Sequence, residues 1–246
     1  MSESQDIDQI LKDWPYQPGV ISARLVHAGD GREVLQMRIE MGLLQLETTG
    51  RPDGSRPDGA DTYLDCLLQQ SIADEKFVLD DDQCFEIDRE FLQFYHRRIG
   101  CLALREFRRA VADADHTLAL MDLAAKHSSD REWMLSHERY RPFVHFHRTQ
   151  AAAMEALRQP DPEAAIAEIS QGLDRMREVF EATGSAEEFD AHELVVQLVE
   201  LKEALRKEYD TGLTLAEQLS AAVANEEYER AAMLRDEMER RSPRPE

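Results

Sequence analysis

The sequence predicts a mainly α-helical chain with a small antiparallel β meander near its N-terminus, an α+β arrangement. Three observations predict this class. Apolar and polar residues alternate only between residues 20 and 48, apolar residues recur at helical spacing from about residue 61 onward, and two short amphipathic stretches separated by a polar turn close the chain. The 246 residues are enough for one good hydrophobic core, or for one core and an extension.

The first 60 residues contain the predicted β structure. Residues 1–19 read as a polar arm with one short helical turn, which Pro15 and Pro18 end. Within residues 20–60, three alternating segments are predicted to form the meander, the clearest of them running through Leu35, Met37 and Ile39. The tandem Arg-Pro-Asp-Gly at 51–54 and 56–59 predicts two turns, since a phosphate-binding loop would need a Gly-Lys-Ser/Thr pattern.

Residues 61–184 are predicted to form a helical-hairpin bundle. Asp161 followed by Pro162 is typical of an N-cap and a first helical position. Ala153, Ala165 and Gly172 are spaced as small residues are in tetratricopeptide repeats, but two helix pairs fall short of the three repeats that a solenoid usually needs. An ordinary helical bundle is therefore the alternative. The acidic run at 80–82 is interpreted as a solvated loop.

Residues 185–212 are predicted to form one long amphipathic helix. Ser185 and Glu188 have the spacing of a capping box at its start. A leucine seam with 4-3-4 spacing predicts its buried face, at Leu194, Leu198, Leu201 and Leu205.

Residues 213–241 are predicted to form an antiparallel helix hairpin, followed by a frayed tail at 242–246. Thr214 and Glu217 have capping-box spacing, and the polar residues 225–227 separate the two amphipathic stretches. Arg235 and Asp236 are expected to form polar pairs at the rim of an interface. The residues that the hairpin is expected to offer to a partner are Leu215, Leu219, Val223, Tyr228, Ala231, Leu234, Arg235, Asp236 and Met238.

The residue pattern of this hairpin resembles the UVR motif of UvrB and UvrC. Leu215, Leu219 and Val223 stand at intervals of four, and residues 227–238 read Glu-Tyr-Glu-Arg-Ala-Ala-Met-Leu-Arg-Asp-Glu-Met. The motif also occurs in the ClpC chaperone ATPase and in the McsA adaptor. The resemblance covers about the last eighth of the chain. It implies a hairpin that docks on another UVR hairpin or on a partner's helices, whereas a hairpin that packs only on its own domain is the alternative.

The resemblance implies a non-catalytic adaptor of the bacterial cytoplasm, and it leaves the partner open. One partner class is an excision-repair component related to UvrB or UvrC. The other is a ClpC-like chaperone–protease, for which the chain would be a regulator or substrate adaptor. A homodimer through the same hairpin is also compatible with the pattern. A further alternative is an enzyme with a site between the β meander and the helices, although the chain contains no recognisable catalytic motif.

Charge and composition limit the partner classes. The chain has 29 Lys and Arg against 50 Asp and Glu, a net charge of −21, and such a surface repels nucleic acid. Arg98, Arg105 and Arg109 would form a local basic stripe if residues 91–110 were one helix, whereas a break near 106 would separate them. No window approaches the roughly 20 apolar residues of a membrane span, and no secretory signal is predicted.

No metal site and no cofactor are predicted. Three scattered cysteines, none in a Cys-x-x-Cys pair, favour a reducing cytoplasm over a zinc site. His137, His145 and His147 come nearest to a metal-ligand pattern. Residues two apart on a helix point in different directions, however, and these histidines are interpreted as a polar face of a packed helix.

Overall fold

The computed structural model describes residues 6–241, and within this range it contains one three-stranded sheet and ten α-helices. The predicted fold class, mainly helical with a small N-terminal antiparallel meander, is confirmed. The first five residues of the predicted polar arm and the predicted frayed tail at 242–246 lie outside the described residues. The chain divides into two compact units, Met1–Ala151 and Ala152–Glu246.

The elements follow one another along the chain with short connections. The strands are β1 (Ser22–His27), β2 (Glu33–Ile39) and β3 (Gly42–Glu47). The helices are α1 (Asp8–Asp13), α2 (Tyr63–Ala73), α3 (Asp81–Ala103), α4 (Phe107–His127), α5 (Arg131–Glu138), α6 (Arg141–Arg158), α7 (Pro162–Ala182), α8 (Glu193–Tyr209), α9 (Leu215–Ala224) and α10 (Tyr228–Arg241). No helix in this part of the chain is both long enough and apolar enough to cross a membrane.

The sheet has the order β1-β2-β3, with both pairs antiparallel, and it packs on the helices of the first unit. Leu35 and Met37 of β2 share a core with Cys101 and Ala110. Gly100 permits this close approach, because a Cβ there would lie 2.8 Å from a methyl carbon of Leu35. The alternation in β2 predicts one buried face, but all four residues from 34 to 37 are buried, so both faces of this strand are covered.

α3 and α4 form the helical hairpin on which the first unit is built. The interpretation of the acidic run at 80–82 as a loop is wrong, because Asp80 caps α3 in a reciprocal capping box with Gln83, and the next two aspartates occupy the first turn. Carboxylates are stabilised there by the unpaired N–H groups of the helix. The helix ends at Ala103, and Arg105 has a φ of 58° in the turn, so the conditional basic stripe is broken.

The second unit contains the predicted leucine seam, but its helix starts later than predicted. Asp161 caps α7 by accepting the Ala164 N–H, with Pro162 at the first helical position, as predicted. Ser185 makes no side-chain cap, and the capping-box prediction at this residue is wrong. A 3₁₀ turn follows it, because Phe189 is buried against Phe180 with ring centroids 5.7 Å apart, and α8 begins only at Glu193.

Candidate docking hairpin and buried polar interior

α9 and α10 form an antiparallel hairpin joined by the polar residues 225–227. The backbone closes the turn with the Glu227 N–H donating to the Ala222 carbonyl at 2.8 Å, and Glu226 has a φ of 60°. Small side chains form the crossing of the two helices, where Ala222 and Ala231 are buried. Alanines allow the helix axes to approach closely, and the local fold expected for this segment is therefore present.

Glu217 caps α9 and connects the hairpin to α7 and α8. One carboxylate oxygen accepts the Thr214 N–H at 2.9 Å, while the Thr214 hydroxyl accepts the Glu217 N–H, which completes the predicted capping box. The other oxygen accepts hydrogen bonds from Lys202 at 3.2 Å, from Arg206 and from Ser170 at 3.3 Å. Burial acts to raise the pKa of Glu217, but these donors outweigh it and lower the pKa to about 2.

The residues predicted to bind a partner differ in exposure. Val223 and Tyr228, which flank the turn, are 52% and 68% exposed. Met233 on α10, which is not among the predicted residues, is 72% exposed. Ala231 belongs to the buried crossing of the hairpin itself. The remaining apolar residues of the prediction are half-buried: Leu215, Leu219, Leu234 and Met238. The large exposed apolar side chains of the hairpin are therefore Val223 and Tyr228 beside the turn and Met233 on α10.

Arg235 and Asp236, the predicted rim pair, are both exposed. The Arg235 guanidinium lies 3.2 Å from the Asp236 carboxylate, so the two residues pair with each other on the surface of the hairpin. An exposed pair of this kind contributes little to stability, which leaves both side chains available for polar contacts with another protein.

The first unit contains a buried ionic network that the sequence reasoning missed. Glu90 is fully buried and accepts the backbone N–H groups of Tyr63 and Leu64 at 2.7 and 3.0 Å, which places a carboxylate at the N-terminus of α2. His116 lies 2.9 Å and Arg51 3.2 Å from the same carboxylate. The Arg-Pro-Asp-Gly stretch at 51–54 is thus anchored on α3 by its buried arginine.

Two neighbouring arginines of α3 are also buried. Arg97 is paired with Asp113, with one N–O distance of 2.7 Å, and it donates to the carbonyl oxygens of Glu47 and Gly50. Arg98 donates to the Thr117 hydroxyl at 2.9 Å. Glu90 and Asp113 could have been found in the sequence as acidic residues on a helical face that is otherwise apolar. A carboxylate in that position is expected to be buried, and a buried carboxylate requires a partner.

The three histidines that come nearest to a metal-ligand pattern have different surroundings. His137 lies 2.9 Å from Asp88, and its ring packs on Phe91. His145 is buried. For His147, burial and the positive charge of Arg98 together lower the pKa to about 4. In the described range 6–241, no three His, Cys, Asp or Glu side chains are placed to hold a metal ion together.

No family model, no curated protein and no solved structure matches the chain.

Proposed function

We propose that this chain is a non-catalytic adaptor that docks on a helical hairpin of another protein through α9 and α10. The observation that carries the proposal is the exposure of Val223, Tyr228 and Met233 on a hairpin whose own crossing is already closed by alanines. Large apolar side chains gathered on one short surface element are typical of interaction sites. The resemblance of residues 215–238 to the UVR motif supports a helical hairpin of the same type as the partner.

The way in which the hairpin is attached also supports a docking role. Its polar connections to α7 and α8 converge on Glu217 at the start of α9, far along the helix from the turn. The turn end, with Val223 and Tyr228, is therefore free to present its apolar side chains. Aromatic residues are frequent among the side chains that dominate interface energies, and Tyr228 is the proposed anchor.

The partner is proposed to be either an excision-repair protein of the UvrB or UvrC type or a ClpC-like chaperone–protease. The proposed setting is the bacterial cytoplasm, which is consistent with three free cysteines, two of them buried. A second copy of the chain could occupy the same surface, and sedimentation of the intact chain against a chain ending at Thr211 measures this directly. Identical self-association of the two would exclude a dimer through the hairpin.

A pull-down with purified UvrB, UvrC and ClpC of the same organism tests the proposal. The intact chain is the bait, Tyr228→Ala is the test variant, and Tyr209→Ala is the matched control because Tyr209 is an exposed tyrosine at the end of α8, outside the hairpin. We expect one of the three proteins to be retained by the wild type and by the control but not by Tyr228→Ala. If the wild type, Tyr228→Ala and Tyr209→Ala retained the same partner equally, the proposed anchor would be contradicted. If the wild type retained none of UvrB, UvrC and ClpC, these partner classes would be contradicted.

A further inference from the structure

A cleft of about 850 Å³ lies in the first unit, between α3 and the α5–α6 segment. Its α3 wall consists of residues spaced 3, 4, 7 and 10 positions from the first, which places them on one helical face. The volume is in the range of small-molecule sites, which are mostly apolar with a few polar groups that fix the ligand's orientation. None of the residues that line this cleft belongs to the docking hairpin, and nothing in the proposed adaptor function uses the cleft.

Four aromatic rings line the cleft in two pairs. Phe91 and Tyr140 have ring centroids 6.1 Å apart, and Tyr95 and Phe143 have centroids 6.4 Å apart. Each pair contributes one ring from α3 and one from the other wall. Rings tilted at these distances contact each other across the cleft, and together they form an aromatic lining on which a flat aromatic body can pack.

A buried cation lies against the same cleft. Arg98 lines it and is only 1% exposed. The carboxylate whose charge acts on it, Asp113, is hydrogen-bonded to Arg97 at 2.7 to 3.1 Å. Within residues 6–241 the Arg98 guanidinium donates one hydrogen bond, to the neutral Thr117 hydroxyl, and its Nε has no partner. A buried charge without an ion pair is costly, and an anion in the cleft would supply the missing partner.

The surrounding charges favour a single negative charge over a polyanion. Asp88 also lines the cleft, and the chain as a whole carries a net charge of −21. We propose that the cleft binds a small molecule with a flat aromatic body and one carboxylate, and that the carboxylate pairs with Arg98 while the body packs on the aromatic lining.

Calorimetric titration of the full chain with naphthalene-2-carboxylate and with its uncharged amide tests this proposal. The two probes share the aromatic body and differ in charge. We expect the carboxylate to bind with a stoichiometry of one and about tenfold or more tightly than the amide, because a hydrogen bond to a charged group in a buried site has roughly that effect. Equal affinities, or no saturable binding of the carboxylate at millimolar concentration, would overturn the proposal.

Two methionine variants locate the cation that carries the preference. Arg98→Met should remove the preference for the carboxylate, whereas Arg139→Met should retain it, because Arg139 lines the same cleft but is exposed at its edge. Loss of the preference in Arg139→Met alone would overturn the assignment to Arg98.

A third variant keeps the test decisive if Arg98→Met does not fold. Leu92 lines the cleft and is more than half exposed, so Leu92→Trp adds volume in the cleft without disturbing the core. Ile72→Trp is its control, an exposed apolar residue of α2 outside the cleft. Leu92→Trp should abolish carboxylate binding and Ile72→Trp should not, and unchanged binding in Leu92→Trp would show that the probe binds elsewhere.

Discussion

Replacing Glu217 by glutamine should loosen the hairpin from the rest of the second unit without unfolding the chain. The substitution keeps an oxygen that can accept the Thr214 N–H, but it removes the charge that faces Lys202 and Arg206. Two partly exposed ion pairs contribute about 0.2–1 kcal/mol each. A carboxylate in the first turn of a helix contributes about 0.3–1 kcal/mol. The expected loss of local stability is therefore about 1–2 kcal/mol.

Hydrogen exchange of the backbone amides in α9 measures this loss. A change of 1–2 kcal/mol corresponds to roughly 5–30-fold faster exchange of the amides that open with the hairpin. Glu229→Gln is the matched control, because Glu229 is an exposed carboxylate in the first turn of α10 and so shares only the helix-terminus effect. If the two variants exchange at the same rate in α9, the hairpin is not attached through Glu217 and the reasoning is refuted.

Three further predictions concern stability. Because folding lowers the pKa of Glu217, its contribution to stability is complete above about pH 5 and is lost as the pH falls towards 2. The stability of α9, measured by hydrogen exchange, should therefore fall with acid in the wild type and change less with pH in Glu217→Gln. Asp113→Ala should cost about 3–5 kcal/mol in urea unfolding because it removes the ion-pair partner of the buried Arg97. Asp115→Ala, which removes a partly exposed partner of Arg148, should cost at most about 1 kcal/mol, and similar costs for the two would contradict the buried network. Gly100→Val should cost about 1–3 kcal/mol, because its Cβ would meet the Leu35 side chain at 2.8 Å, and an unchanged urea midpoint would contradict the close packing of α3 on the sheet.

Features that depend on neighbouring residues could be predicted from the sequence. The capping box of Thr214 and Glu217 was predicted from spacing alone, because both hydrogen bonds lie within one helical turn. The Asp161 cap and the three strands follow from equally local patterns. The mainly helical class with a small meander is confirmed for this reason.

Features that depend on distant pairing could not be predicted in this way. Glu90 meets Tyr63 and Leu64 at separations of 27 and 26 residues, and Arg97 meets the Glu47 carbonyl at a separation of 50. No local pattern encodes these pairs. The 3₁₀ turn after Ser185 has the same origin, since the tertiary contact of Phe189 overrides the capping signal.

The candidate surface was predictable in outline but not in detail. The hairpin pattern predicts one apolar face, yet the fold divides that face. Ala231 is used in the hairpin's own crossing, whereas Val223 and Tyr228 remain exposed beside the turn. Which members of an apolar stripe stay exposed depends on the crossing of the two helices, and that geometry is not contained in the spacing of the residues.

The affinity of the intact chain and of Tyr228→Ala for the retained partner is the most direct test of the docking proposal. The side chain is 68% exposed, so its removal should change the free energy of unfolding by no more than about 0.5 kcal/mol. If Tyr228 anchors the interface, the dissociation constant should rise about 30-fold, corresponding to roughly 2 kcal/mol, while Tyr209→Ala binds like the wild type. An unchanged dissociation constant for Tyr228→Ala, or a loss of binding explained by unfolding, would contradict the account.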